Sequence, residues 1–132
     1  MILARGSGLE GAVVALTGAS AGIGREAALE FAREGARVAI SARRLDRLEA
    51  LAEAIQAAGS ETFVMAVDVA DAGQVRRFVD ATVQRFGRLD VMVNNAGYGV
   101  RGRVEETPLA VFEQIMRVNY LGTVHEIGRA HV

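Results

Sequence analysis

The sequence contains no cysteine and no lysine, and each absence excludes a kind of chemistry. Without cysteine the chain can form no disulfide and offers no thiolate as a nucleophile or metal ligand. All fifteen positively charged residues are arginine, so a reaction that needs a lysine ammonium group cannot be completed by this chain alone. The formal net charge of −1 predicts neither a nucleic-acid-binding surface nor a polybasic membrane anchor.

Long hydrophobic runs are also missing, although 51% of the residues are hydrophobic. No apolar stretch approaches the length that spans a membrane, and Met1–Ala4 is too short for the core of a signal peptide. We therefore expect a cytoplasmic location and no membrane partner. With 132 residues the chain has the length of one domain and can bury a hydrophobic core.

Short apolar runs alternate with amphipathic helical patterns along the chain. The predicted strands lie near residues 12–16, 37–41, 62–67 and 90–94. The predicted helices cover residues 25–34, 45–58 and 71–86, and a fourth carries Leu109, Phe112, Ile115 and Met116. This alternation predicts an α/β fold in which a parallel sheet has helices on both faces.

Two pairs of residues predict where helices begin. Asp71 and Gln74 form a capping-box pattern at the start of the third helix. Thr107 and Pro108 are suited to the N-cap and first helical positions of the fourth helix.

The glycine-rich segment Thr17–Gly24 joins the first predicted strand to the first helix. Its glycines allow a tight turn and a close approach of a pyrophosphate, and the first helical turn offers free N–H groups and partial positive charge. The spacing is Gly-x-x-x-Gly-x-Gly rather than the Gly-x-Gly-x-x-Gly of the dinucleotide fingerprint. Considered alone, it also fits an ordinary strand-to-helix turn.

The second predicted strand ends in Ser41-Ala42-Arg43-Arg44. At this point of a dinucleotide-binding fold an acidic residue binds the free ribose hydroxyl, whereas an arginine binds a 2′-phosphate. Because Ala42 stands where the acid is expected, we predict NADP(H) rather than NAD(H). Arg43 would bind the 2′-phosphate, and Ser41 or Arg44 would assist. The alternative, favoured for Arg44 and Arg47, is a solvated start of the next helix.

Polar residues also follow the third and fourth strands. Asp68 ends the third strand, where a carboxylate faces the ligand crevice and could accept a hydrogen bond from an adenine amino group; a turn-forming aspartate is the alternative. Asn94–Gly97 ends the fourth strand. Asn119 shares an apolar helix face with Leu109, and an unpaired buried amide costs about 1–3 kcal/mol. A buried amide with satisfied hydrogen bonds would explain it equally well.

Taken together, Thr17–Gly24, Asp68, Asn94–Gly97 and Val118–Asn119 resemble the motifs of the short-chain dehydrogenase/reductase family over residues 8–125. The resemblance implies a Rossmann-type, doubly wound parallel sheet, truncated here to strand order 3-2-1-4. It also implies an oxidoreductase that transfers hydride between NADP(H) and a small alcohol or carbonyl substrate, with a homo-oligomeric parent protein.

The resemblance assigns roles to individual residues. Those implied in cofactor binding are Gly18, Ser20, Ala21, Gly22, Ile23, Gly24, Ser41, Arg43, Asp68, Val69, Asn95, Ala96 and Gly97. Asn119 is similar to the catalytic asparagine of the family, which orders a water molecule in the proton relay. No metal site is expected.

The sequence departs from the family in lacking the catalytic serine and the Tyr-x-x-x-Lys pair. Tyr98 and Tyr120 are followed four positions later by Gly102 and Val124. We therefore expect the chain alone to be inactive, as the N-terminal part of an oxidoreductase. The alternative is a non-catalytic NADP(H)-binding module. An extended-type epimerase or dehydratase is disfavoured, because those enzymes prefer Gly-x-x-Gly-x-x-Gly and lack Asn-Asn-Ala-Gly.

The last seven residues, Glu126–Val132, lose the apolar pattern of the preceding helix. They also match the translation of a widely used sequencing adapter, GAG ATC GGA AGA GCA CAC GTC. We therefore expect a nucleotide-binding domain in residues 1–125 and a non-native tail in 126–132; a genuine short tail that happens to match is the alternative. His131 would then have no role as a metal ligand, and the codons of the nucleotide record test this expectation.

Overall fold

The computed structural model describes residues 8–129, in which a four-stranded sheet is flanked by helices. Strands β1 to β4 are Val13–Thr17, Arg37–Ala42, Thr62–Ala66 and Val91–Val93. Helices α1 to α5 are Gly22–Arg33, Leu45–Ala57, Ala72–Phe86, Leu109–Met116 and Gly122–Ile127. A 3-10 turn, Val104–Glu106, precedes α4, and a π-helical segment, Arg117–Leu121, joins α4 to α5.

The strands lie in the order β3-β2-β1-β4, which confirms the predicted topology. Every pair is parallel; β1 pairs with β2 from Val13 opposite Arg37 onwards, and with β4 from Val14 opposite Val91 onwards. Because the strands are parallel, their carboxyl ends meet at one edge of the sheet. The chain places β2 and β3 on one side of β1 and then returns to place β4 on the other side. The strand order therefore switches direction between β1 and β4, and ligands of doubly wound sheets bind at such a switch point.

Strand β1 is buried on both faces, which explains why its sequence is apolar without interruption. Val14 and Leu16 pack into one hydrophobic cluster with side chains of α1 and α2. Val13 and Ala15 pack into a second cluster, on the opposite face, with Phe78 of α3. The alternation of side chains along a strand thus supplies both layers of the core.

The predicted helix starts have different outcomes. Asp71 caps α3, since its side chain accepts a hydrogen bond from the Gln74 N–H at 3.1 Å, which confirms the predicted helix start. The box itself is not closed, because the Gln74 side chain accepts from the Asp68 N–H and not from that of Asp71. The prediction for α4 was wrong: Pro108 is the N-cap residue. The Thr107 hydroxyl donates backwards to the Arg103 carbonyl at 2.8 Å, so it serves the preceding 3-10 turn instead of the helix.

Of the predicted tail, Glu126 and Ile127 continue α5, while residues 130–132, with His131, lie outside the described residues. The assignment of residues 126–132 as non-native stays a prediction. Among residues 8–129, no helix combines the length and the apolar character that crossing a membrane requires. In the same range, no three histidine, cysteine, aspartate or glutamate side chains form a cluster suited to a metal ion.

Candidate functional site

A cleft of about 270 Å³ lies at the carboxyl edge of the sheet. All four strands contribute to it through the loops that follow them. Its lining residues are Gly18, Ser20, Ala21, Ala42, Arg43, Arg44, Val67, Asp68, Val69, Ala96, Gly97, Tyr98 and Val118. The cleft therefore brings together eight of the predicted cofactor-binding residues, from four separate segments of the chain.

Two glycines let the loop after β1 pack directly on the loop after β4. Gly18 has a φ of +69°, and a Cβ atom there would lie 2.8 Å from the Cα of Ala96. Gly24 faces the Asn95 side-chain amide and the Gly18 carbonyl so closely that any Cβ would overlap them. Any larger residue at either position would push the two loops apart.

The N-terminus of α1 borders the cleft. The N–H groups of the first turn of a helix have no intrahelical partners, and Ala21, the residue before α1, has no side chain that could cap them. Ser20 and Ala21, which directly precede this partially positive helix end, line the cleft. Gly22 and the 83% exposed Ile23 lie instead beside Glu26, in a shallow surface depression outside the cleft.

Thr17 forms a hydrogen-bonded junction behind the glycine loop. Its fully buried hydroxyl accepts from the N–H groups of Asn95 at 3.3 Å and Ala96 at 3.2 Å. The same hydroxyl donates to the Glu126 carboxyl, whose two oxygens both lie 3.1 Å away. The Asn95 side chain donates in turn to the carbonyls of Thr17 and Gly18. These bonds tie the ends of β1 and β4 together.

Glu126 is 1% exposed, and this burial raises the pKa of its carboxyl to about 7. Its contact with Thr17 was not predicted from the sequence. A glutamate directly after an apolar helical pattern was a visible signal, but no local pattern identifies a partner 109 positions away.

The loop after β2 brings two arginines to the cleft. Arg43 lies on the cleft wall, and the Arg44 guanidinium donates to the Ser20 hydroxyl at 3.2 Å. Arg44 is exposed at the start of α2, as expected, and it also reaches across to the glycine loop. Ser41 does not fit its predicted role, because it is fully buried and its hydroxyl donates to the Leu16 carbonyl at 3.3 Å.

The segment after β3 is fixed on two sides. The Asp68 carboxylate accepts from the Ala70 N–H at 3.0 Å, which makes a turn, and the Asp68 N–H donates to the Gln74 side chain at 2.9 Å. Asp68 thus forms the turn that was considered as an alternative, and it also lines the cleft. The Val69 carbonyl contacts His125 Nδ1 at 3.0 Å.

Asn119 lies in the π-helical segment and is exposed, so the alternative of a buried amide with satisfied hydrogen bonds was wrong about the burial. Its side chain nevertheless has partners: Oδ1 accepts from the Tyr98 N–H at 3.0 Å, and Nδ2 donates to the Tyr98 carbonyl at 2.8 Å. A Cβ atom on Gly97 would lie 3.3 Å from Asn119 Oδ1. The amide therefore holds the backbone at the rim of the cleft.

The family model for short chain dehydrogenase matches residues 12–130. Among curated proteins, the chain is 39% identical over 117 residues to 11-beta-hydroxysteroid dehydrogenase-like 2 of Arabidopsis thaliana. The matched residues make up 87% of this chain and 38% of that protein. It is 43% identical over 119 residues to an uncharacterized oxidoreductase of Methylorubrum extorquens, and the matched residues make up 89% of this chain and 48% of that protein.

Solved structures show the same likeness. The chain matches an alcohol dehydrogenase from the archaeon Thermococcus sibiricus, complexed with 5-hydroxy-NADP, with a TM-score of 0.87 and 40% identity. That match covers 91% of this chain and 52% of the other. The chain therefore spans less than half the length of the two curated relatives and about half of the solved structure.

Proposed function

Because the chain belongs to the short chain dehydrogenase family, we propose that it is the cofactor-binding part of an NADP(H)-dependent oxidoreductase. In this proposal the complete protein moves hydride between the cofactor and an alcohol or carbonyl compound. The observation that carries the proposal is the cleft itself, where the glycine loop before α1 and the Arg43–Arg44 pair line one cavity.

The residues present fit a dinucleotide. A pyrophosphate needs backbone N–H groups and a close approach, and the glycine loop with the first turn of α1 provides both. Gly18 and Gly24 leave no room for a side chain, which keeps this loop against the one after β4. Asp68 and Val69 would border the adenine ring, while Ala96 and Gly97 would line the path towards the nicotinamide.

The choice of NADP(H) depends on the end of β2. Ala42 carries no carboxylate that could bind a free 2′-hydroxyl or repel a phosphate, and Arg43 and Arg44 both line the cleft. Arg44 already donates to Ser20, so a phosphate placed between these two side chains would meet an arginine and a hydroxyl. A hydrogen bond to a charged group contributes about 1.5–3 kcal/mol, which corresponds to roughly a tenfold to hundredfold change in Kd.

Hydride transfer is the chemistry that a bound nicotinamide would supply, and this chain's contribution to it is positioning. Asn119 holds the backbone of Tyr98 at the cleft rim through two hydrogen bonds. The sequence has no Tyr-x-x-x-Lys to deliver or accept the proton. We therefore expect the 132-residue chain to bind cofactor without turnover.

Titration of the chain with NADPH and NADH tests the proposal. We expect NADPH to bind at least tenfold more tightly, and Arg43→Ala to weaken NADPH binding about tenfold or more while NADH binding stays unchanged. Arg47→Ala is the matched control, because Arg47 is an exposed arginine on α2 outside the cleft lining. Equal effects of Arg43→Ala on both cofactors, or equal effects of the two variants, would contradict the proposal.

A second candidate, a non-catalytic NADP(H)-binding module, is favoured by the absence of lysine from the whole chain. The nucleotide sequence around codon 126 separates the two candidates. Codons that spell the adapter support the oxidoreductase, and an in-frame Tyr-x-x-x-Lys in the source genome would establish it. A stop codon after different codons supports the module. A cytoplasmic location and a homo-oligomeric parent remain predictions.

A further inference from the structure

One face of the π-helical segment and α5 lies against Val69. Val118 shares a buried hydrophobic cluster with Val69, and a Cβ atom on Gly122 would lie 2.8 Å from Val69 Cγ2. One turn later, His125 Nδ1 lies 3.0 Å from the Val69 carbonyl oxygen. Spacings of four and three residues bring these positions onto one helix face, so the helix contacts both the side chain and the backbone of Val69.

The contact of His125 with Val69 has a defined direction. A carbonyl oxygen can only accept a hydrogen bond, so Nδ1 must carry the hydrogen. The two residues are 56 positions apart in the sequence, and the bond therefore joins α5 to the loop that follows β3.

The segment of Asp68 and Val69 is thereby held from two helices. On one side, the Gln74 side chain of α3 accepts from the Asp68 N–H at 2.9 Å. On the other, His125 of α5 donates to the Val69 carbonyl. Both Asp68 and Val69 line the cleft, so their backbone orientation determines the edge that they present to a ligand.

We propose that His125 is a positioning residue for the base of the bound nucleotide: its Nδ1–H holds the Val69 carbonyl and so orients Asp68 and Val69 towards an adenine ring. The inference rests on the proposed function, since it names the residue that prepares one subsite of that cleft. His125 lines no part of the cleft itself and acts through Val69.

Two ligands that differ in the presence of the base can show whether His125 affects adenine binding alone or ligand binding in general. Adenosine 2′,5′-bisphosphate contains adenine and both phosphates, whereas ribose 2,5-bisphosphate lacks the base. In calorimetric titrations of the 132-residue chain, His125→Leu should weaken the adenosine ligand about tenfold, the change expected for one lost hydrogen bond. Binding of ribose 2,5-bisphosphate should stay within twofold. His125→Asn, whose amide nitrogen can donate from nearly the same place, should restore most of the affinity.

A measurement without any substitution accompanies the titrations, in case the leucine variant fails to fold. Nitrogen-15 NMR of the imidazole at about pH 8, assigned by comparison with His125→Asn, should show the tautomer with hydrogen on Nδ1. The tautomer with hydrogen on Nε2 would overturn the inference. In the titrations, His125→Leu would overturn it by weakening both ligands equally or neither of them. A His125→Asn variant that binds the adenosine ligand as weakly as His125→Leu would also overturn it. A wild-type chain that binds neither ligand would contradict the proposed function itself.

Discussion

Replacing Glu126 by glutamine should make the folded chain more stable near pH 8 and leave its stability almost unchanged near pH 4.5. Burial raises the pKa of this carboxyl from 4.5 to about 7, and the hydrogen bond from Thr17 offsets only part of that effect. The carboxyl is 1% exposed, so solvent does little to stabilise its charge.

The sign follows from proton binding. A carboxyl with a higher pKa in the folded state binds more protons there, so folding is favoured when protons are abundant. Its contribution is complete below pH 4.5 and is lost as the pH rises through 7. At about 1.4 kcal/mol for each pH unit between those values, the loss reaches about 3 kcal/mol. That is a large part of the 5–15 kcal/mol that stabilises an ordinary domain.

Urea unfolding followed by far-ultraviolet circular dichroism at several pH values measures the effect. The difference in unfolding free energy between Glu126→Gln and wild type should grow from near zero to about 3 kcal/mol between pH 4.5 and 8. Glu113→Gln, a change at an exposed glutamate of α4, is the matched control and should show no such growth. A constant difference for Glu126→Gln across this range would refute the reasoning.

Carboxylates that titrate at lower pH should not obscure the effect of Glu126 between pH 4.5 and 8. The pKa of Asp71 is lowered by its hydrogen bonds from Gln74, and that of Asp90 by its hydrogen bonds from Arg88 and the Val13 N–H. Groups with lowered pKa contribute stability above their unfolded value, 3.8, and lose it as the pH falls further. Their contribution therefore changes mainly below the range in which Glu126 titrates.

Three further changes address the loops of the cleft. Thr17→Val removes the acceptor of two backbone N–H groups and should lower the unfolding free energy by about 2 kcal/mol or more in urea titrations, with Thr17→Ser as the control. Gly18→Ala should abolish measurable NADPH binding, because its Cβ would overlap the neighbouring loop. Gly59→Ala, with a similar positive φ and open space, should leave binding unchanged. Asn119→Asp replaces the donor to the Tyr98 carbonyl by an oxygen and should lower the thermal midpoint, whereas an unchanged midpoint would show that the contact stabilises nothing.

The parts of the fold that the sequence predicted well depend on local patterns. The apolar run before Thr17 became a strand, and the end of α3 at Gly87 has the positive φ of 83° that such a helix end favours. Alternation of strands and helices was enough to predict a parallel sheet with helices on both faces, whereas the strand order came from the resemblance to the family.

The failures involve partners that are distant in sequence. Ser41 had the right position to assist Arg43, but whether its hydroxyl faces the cleft or the core depends on the register with β1. Arg44 is the exposed N-cap residue of α2, as expected, but its hydrogen bond to Ser20, 24 positions earlier, could not be predicted from the local pattern. In each case the residue type was informative, and the direction of the side chain was set by an element that the local pattern does not include.

Asn119 shows a different limit of hydrophobic periodicity. The stripe of Leu109, Phe112 and Met116 was correctly identified as apolar, yet these residues are 71%, 37% and 54% exposed. Periodicity reports which helix face requires burial, whereas actual burial requires a packing partner. The interpretation of Asn119 as a buried amide assumed such a packing partner. Within residues 8–129 the side chain instead forms hydrogen bonds with the backbone of Tyr98. An amide whose two polar atoms are both paired can therefore remain at the surface, where it fixes a loop without the energetic demand of burial.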